Sequence, residues 1–138
     1  MSDDVVRVGL LGCGHVGSAL VRQITENGDS IEARSGVRLE VAKVAVRNLS
    51  RERDVALPAS VFTNDSNSVV ADPDVDIVVE VMGGIEPAKS LLLQAMARGA
   101  SVVTANKALL ATHGAELHEM ADASGVTFRV RHRDLDNE

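Results

Sequence analysis

Aromatic side chains are nearly missing from this sequence: Phe62 and Phe128 are present, with no Trp and no Tyr. That removes the stacking platforms on which single-stranded nucleic acids lie. One cysteine, Cys13, is present, so an internal disulfide is excluded, and a lone thiol builds no zinc site. No metal site is expected. A dense basic run is also lacking, with 14 Lys and Arg against 20 Asp and Glu and a formal net charge of −6. Binding to a phosphate backbone rests on clustered Lys and Arg, so nucleic acid is not an expected partner. No apolar stretch approaches the ~20 residues of a membrane-spanning helix. The acidic start MSDDVVRVGLLGCG does not read as a secretory signal. These absences describe a cytoplasmic protein with neither a membrane nor a nucleic-acid partner.

What is present is aliphatic. The 138 residues suffice for one domain with a real core, and that core must be built from Val, Leu, Ile, Ala and Met. Val5–Leu11 (VVRVGLL) reads as a buried strand entering a glycine turn. Val16, Ala19, Leu20 and Ile24 recur at helical spacing up to about Asn27, with Gly28 as a stop. Residues 31–40 are polar and read as irregular. Strands are expected over Leu39–Val46, Val61–Thr63, Asp76–Met82, Ser101–Thr104 and Val126–Val130. Helices are expected over Ser66–Ala71, from Pro87 to Gly99, and over Ala115–Ala123, with a short helical turn after Asn106. Such alternation predicts an α/β fold of Rossmann type, a single doubly wound parallel sheet with strand order 3-2-1-4-5-6.

The most chemical segment is Gly12-Cys13-Gly14-His15-Val16-Gly17. A G-x-G-x-x-G pattern is weak alone, but here it follows a strand and opens a helix, which is the context of a dinucleotide site. Gly12 turns the chain, Gly14 lets a pyrophosphate approach the backbone, and Gly17 lets helix and strand pack. N–H groups of the first helical turn then face the phosphates. Cys13 reads as a small residue that fits, and the His15 ring either reaches a phosphate or faces water.

An NAD-specific site usually carries Asp or Glu at the end of the second strand. This sequence has Ala45-Val46-Arg47-Asn48 there. An arginine clamps a 2′-phosphate by charge-assisted hydrogen bonds, so NADP is expected, with Arg47 on that phosphate and Arg51 and Arg53 adding to the field. A solvated arginine without discrimination is the bland alternative. Two further motifs end strands. Glu80-Val81-Met82-Gly83-Gly84 offers Gly83 and Gly84 to the nicotinamide ribose. Glu80, odd in so apolar a strand, either bonds nearby backbone N–H groups or contacts ligand. In Thr104-Ala105-Asn106-Lys107, Lys107 projects toward the nicotinamide end, where an ammonium can polarise a substrate oxygen or steer a carboxylate; a surface lysine opening a helix is the bland alternative.

Together RVGLLGCGHVGSAL, VAVRN, DIVVEVMGG and VVTANKALLA resemble homoserine dehydrogenase from about Val6 to Val130. The resemblance implies the NADP-binding domain, with NAD as the alternative cofactor, of an oxidoreductase that interconverts L-homoserine and L-aspartate 4-semialdehyde. That reaction serves threonine, methionine and isoleucine biosynthesis. By resemblance Gly12, Gly14, Val16, Gly17 and Arg47 contact the cofactor. Thr104, Asn106 and Lys107 form the nicotinamide-side group, with Lys107 as the catalytic candidate. A large second domain is also implied after the last strand, holding the substrate, the principal catalytic Asp and Lys, and much of a homodimer interface. Here residues 131–138 read RHRDLDNE, a charged tail that departs from that pattern. The expectation is a domain over 1–130 that binds NADP(H) but is inactive alone, taking its small-molecule substrate only with the second domain. Another NAD(P)-dependent oxidoreductase domain and a non-catalytic dinucleotide sensor are the competing readings.

Overall fold

The computed structural model describes residues 5–49 and 55–130. Arg51, Arg53 and the charged tail lie outside the described residues. Six strands, β1 (Val5–Leu11), β2 (Arg38–Ala45), β3 (Phe62–Thr63), β4 (Ile77–Glu80), β5 (Ser101–Thr104) and β6 (Phe128–Val130), form one sheet in the order β3-β2-β1-β4-β5-β6. All five pairings are parallel. The expected doubly wound order is therefore present, and the described residues include five α-helices: α1 (His15–Glu26) and α2 (Gly28–Ser35) between β1 and β2, α3 (Ser66–Ala71) between β3 and β4, α4 (Ala88–Arg98) between β4 and β5, and α5 (Lys107–Ser124) between β5 and β6, while a short 3-10 turn at Ala59–Val61 precedes β3.

Alternation along the strands divides the core into two. Leu11, Ala45, Val78 and Val102 face α3, α4 and α5, packing with Val69, Val70, Leu92, Met96, Leu109 and Leu117. Val8, Leu10 and Val44 face the opposite way, onto Val21 and Ile24 of α1. Burying each such aliphatic side chain stabilises the fold by about 1.5–3 kcal/mol. A register shift at Val8/Gly9 sets one extra residue, Ala42, into β2 and keeps Val41 and Val44 on the α1 side. Gly9 has a packing reason: a Cβ there would stand 2.7 Å from Val69 Cγ1 and 3.0 Å from Val75 Cγ1. The α1 layer is the smaller one. Val16 and Leu20 of α1, with Ile77, Val79 and Val103 of the sheet, line an apolar cavity of about 220 Å³.

Two segments differ from the sequence reading. The stretch read as irregular from Ile31 is helical through Ser35, and Gly28 begins α2 rather than ending a helix, because α1 already closes at Asn27. Among its described residues α2 buries only Gly28, so no apolar stripe marks it. It is held from outside instead, by Arg38, whose guanidinium meets Asp29 at 2.8 Å and Glu32 at 3.4 Å. The helix expected over Ala115–Ala123 starts much earlier. Asn106 Oδ1 accepts from Leu109 N at 3.1 Å and caps a helix running on to Ser124, with non-helical angles at His113. The short turn after Asn106 and the later helix are thus two pieces of one kinked element.

Candidate functional site

Parallel pairing brings the carboxyl ends of the strands into one row: Ala45 lies opposite Leu11, Leu11 opposite Glu80, and Glu80 opposite Thr104. The chemically suggestive motifs all begin at or just after that row. In open α/β sheets this edge is where ligands bind.

At its centre lies the glycine turn. Gly12 N donates to Ala45 O at 2.9 Å, and Val81 N donates to Leu11 O at 2.9 Å, so the turn is clamped between the ends of β2 and β4. Gly12 sits at φ 106°, with a Cβ there 3.1 Å from Val81 O and 3.2 Å from the Met82 backbone. Only glycine adopts that conformation without strain. A Cβ on Gly17 would stand 2.9 Å from Gly12 O, so the glycine is what lets α1 start directly behind the strand. Gly14 contrasts with both: a Cβ there meets nothing within 4 Å. It caps α1 with no side-chain hydrogen bond, and no acidic residue occupies the first turn. The N–H groups that open α1 therefore have no side-chain cap among the described residues, at the positive end of the helix dipole. Gly14, His15 and Val16 are exposed, Val16 with 40% of its surface. Cys13 Sγ lies 3.6 Å from Ser18 Oγ, inside the turn and away from any second thiol.

A phosphate-bearing dinucleotide fits this edge. The turn offers uncapped backbone donors, and the position where a side chain would obstruct an anion is a glycine with nothing beyond it. Arg47 is exposed two residues past Ala45, the residue whose carbonyl Gly12 binds.

On the other flank the arrangement rests on side chains. Glu80 is fully buried. Its Oε2 accepts from Met82 N at 3.0 Å, from Gly83 N at 2.8 Å and from Asn106 Nδ2 at 3.4 Å, and its Oε1 accepts from Thr104 Oγ1. Asn106 N donates to Thr104 Oγ1 at 3.0 Å, and Asn106 Nδ2 also donates to Gly84 O at 2.6 Å. Gly83 and Gly84 lie at φ 80° and 77°, exposed beside this network. Thr104 and Asn106 are buried, so their side chains serve the protein, while Lys107 is exposed as the first residue of α5. A cation at a helix N-terminus opposes the macrodipole by about 0.3–1 kcal/mol. Farther along, Glu86 accepts from Ser90 N at 3.1 Å. Hydrogen bonds from the Ser90 side chain and backbone hold its carboxyl below the ordinary value.

The structure thus gathers Gly12, Gly14, His15, Val16, Gly17, Arg47, Gly83, Gly84, Thr104, Asn106 and Lys107 along one edge. What the sequence reading lacked was the link from Glu80 to Thr104 and Asn106. It had Glu80 bonding nearby backbone N–H groups as one of two alternatives, and Met82 and Gly83 are those groups. A larger depression, about 810 Å³, lies toward the opposite edge beside Arg7, Arg38 and Glu40. Both of its arginines are ion-paired, Arg7 with Glu40 at 3.1 Å and Arg38 with Asp29 at 2.8 Å. No group of three or more His, Cys, Asp or Glu among the described residues is arranged to hold a metal ion, and no described helix is long and apolar enough to cross a membrane.

Comparison with known proteins agrees with this geometry. A homoserine dehydrogenase of Synechocystis is 47% identical over 123 residues, which is 88% of this chain and 28% of the relative. One from Bacillus subtilis is 43% identical, covering 87% of this chain and 28% of its own length. The crystal structure of S. aureus homoserine dehydrogenase at pH 8.5 superposes with a TM-score of 0.86 at 36% identity, over 93% of this chain and 32% of that one. The chain therefore spans under a third of the length of each of these three proteins. The family described as "Homoserine dehydrogenase, NAD binding domain" matches residues 12–131. With that match extending over most of its length, this chain belongs to the homoserine dehydrogenase family, of which it carries the NAD-binding domain.

Proposed function

We propose that this chain binds NADP(H) across the carboxyl edge of its sheet, as the cofactor half of a cytoplasmic oxidoreductase. The whole protein then interconverts L-homoserine and L-aspartate 4-semialdehyde and acts as a homodimer. The observation that carries the reading is the turn at Gly12–Gly17. Two of its glycines are demanded by backbone crowding, while a Cβ on Gly14 would meet no protein atom within 4 Å. A glycine kept where a side chain has room is what close approach of a pyrophosphate requires.

In this reading the N–H groups opening α1 bind the phosphates, and His15 and Val16 border them. The Arg47 guanidinium takes the 2′-phosphate through charge-assisted hydrogen bonds. Gly83 and Gly84 admit the nicotinamide ribose, and the buried pair Thr104 and Asn106 fixes the start of α5. Lys107 is then presented toward the reacting end, where its ammonium stabilises negative charge developing on the substrate oxygen during hydride transfer. When bound, the nicotinamide supplies the hydride chemistry. The matched length covers 28% of the Synechocystis and B. subtilis relatives, so cofactor binding is proposed for these 138 residues. Turnover of substrate is proposed for the whole protein.

The test is a parallel titration with NADPH and NADH, read by the reduced nicotinamide's own fluorescence, since the chain has no Trp or Tyr. Tighter binding of NADPH is expected. Arg47→Ala should weaken NADPH by about tenfold, or 1.4 kcal/mol, and leave NADH nearly unchanged. Equal affinities that Arg47→Ala does not move would remove Arg47 from the 2′-phosphate site.

A further inference from the structure

The buried carboxylate of Glu80 bridges the loop that follows β4 and the loop that follows β5. Met82 N and Gly83 N converge on its Oε2, fixing the turn that follows β4. Asn106 Nδ2 reaches the same oxygen, and Thr104 Oγ1 reaches the other, fixing the segment that follows β5. Every partner donates. The Thr104 hydroxyl accepts from Asn106 N, so its single proton is left for Glu80, and the direction of each bond in the chain is set. Asn106 closes the loop by donating to Gly84 O and accepting from Leu109 N. A fully buried carboxyl in a strand otherwise reading Ile-Val-Val is a costly choice for stability alone, since an aliphatic residue would pack there without any need for four donors. Such fully satisfied networks specify a geometry rather than add stability.

We infer that Glu80 is a positioning residue for the nicotinamide half of the cofactor. One carboxylate sets the spacing between the Gly83–Gly84 turn and the Asn106–Lys107 start of α5, between which the nicotinamide riboside is held. The inference rests on the proposed cofactor site and deepens it. The phosphate turn has its own backbone support, since Gly12 N donates to Ala45 O and Val81 N to Leu11 O, and Glu80 reaches it only through the Met82 backbone that packs against Gly12. Disturbing Glu80 should therefore loosen the nicotinamide half of the dinucleotide far more than the phosphate half. A merely structural carboxylate would affect both halves together or neither.

The experiment is calorimetric titration of the full chain with NADPH and with 2′-phosphoadenosine 5′-diphosphate, which carries the adenosine and the three phosphates but neither the second ribose nor nicotinamide. Glu80→Gln keeps the shape but turns a donor toward Thr104, leaving that hydroxyl proton without an acceptor. NADPH affinity is expected to fall about tenfold while the nicotinamide-free ligand stays within about twofold. Thr104→Val, which removes the hydroxyl, should reproduce the selective loss, and Thr104→Ser, which keeps it, should restore most of the affinity. This pair decides the question if Glu80→Gln does not fold by circular dichroism. Equal weakening of both ligands in the folded variants, or no weakening of either, overturns the inference. A folded wild-type chain that binds neither ligand overturns the cofactor site itself, and the role of Glu80 falls with it.

Discussion

The two flanks of the carboxyl edge are built by opposite means. On the Gly12–Gly17 flank the shape is made by backbone, through a positive φ at Gly12, a helix start pressed against Gly12 O, and open space at Gly14. On the Glu80 flank the shape is made by side chains, with a buried carboxylate joining positions 24 and 26 residues apart in sequence. The first kind of construction presents backbone donors that need no reorganisation to meet an anion. The second sets a distance between two loops and is therefore suited to placing a reacting group. Anchoring and orientation are thus assigned to different chemistry within one row of strand ends.

The contrast can be broken most severely at Gly12. Gly12→Ala forces a Cβ to 3.1–3.2 Å from the β4 end in a left-handed backbone. The strain is expected to cost about 1–3 kcal/mol of stability, together with about a hundredfold in dinucleotide affinity, as measured by denaturant unfolding and by titration. Gly14→Ala sharpens the same comparison. Its Cβ touches no protein atom, so stability should change by less than about 0.5 kcal/mol. NADPH affinity should still fall about tenfold or more, because the methyl group occupies the path of the phosphate. If Gly14→Ala binds as tightly as wild type, the turn is not a phosphate site.

The smallest effect belongs to a third place, away from the edge. Asp72 accepts from Asp74 N at 2.8 Å and meets Lys43 Nζ at 3.1 Å. The Asp74 backbone bond and then the Lys43 ammonium hold its carboxyl below the ordinary 3.8, against the opposing effect of burial. A depressed folded-state value means that this stabilisation is complete above pH 3.8 and is lost as pH falls through the lower folded value. Asp72→Asn should flatten that acid limb slightly in thermal melts taken from pH 5 to 2. NADPH binding at neutral pH should be unaffected.

What could be read in advance follows the same division. Strands buried on both faces announce themselves as Val- and Ile-rich runs, so β1, β5 and the strand order were legible. The glycine turn was legible because positive φ and close packing demand a residue type visible in the sequence. The helix at Gly28–Ser35 was not, since it is held by Arg38 reaching Asp29 and Glu32 rather than by an apolar stripe. The full length of α5 was hidden by the break at His113. Glu80 stood out as a polar residue in an apolar strand, yet its pairing with Thr104 depends on the register of β4 with β5, which no local pattern encodes.

The most direct measurement is the thermal unfolding of the full chain, followed by circular dichroism while NADPH and NADH are added in parallel. A ligand that binds only the folded state raises the midpoint with concentration. A saturable rise is expected with both, reached at lower concentration with NADPH. A cooperative transition that neither dinucleotide moves at any concentration would contradict it.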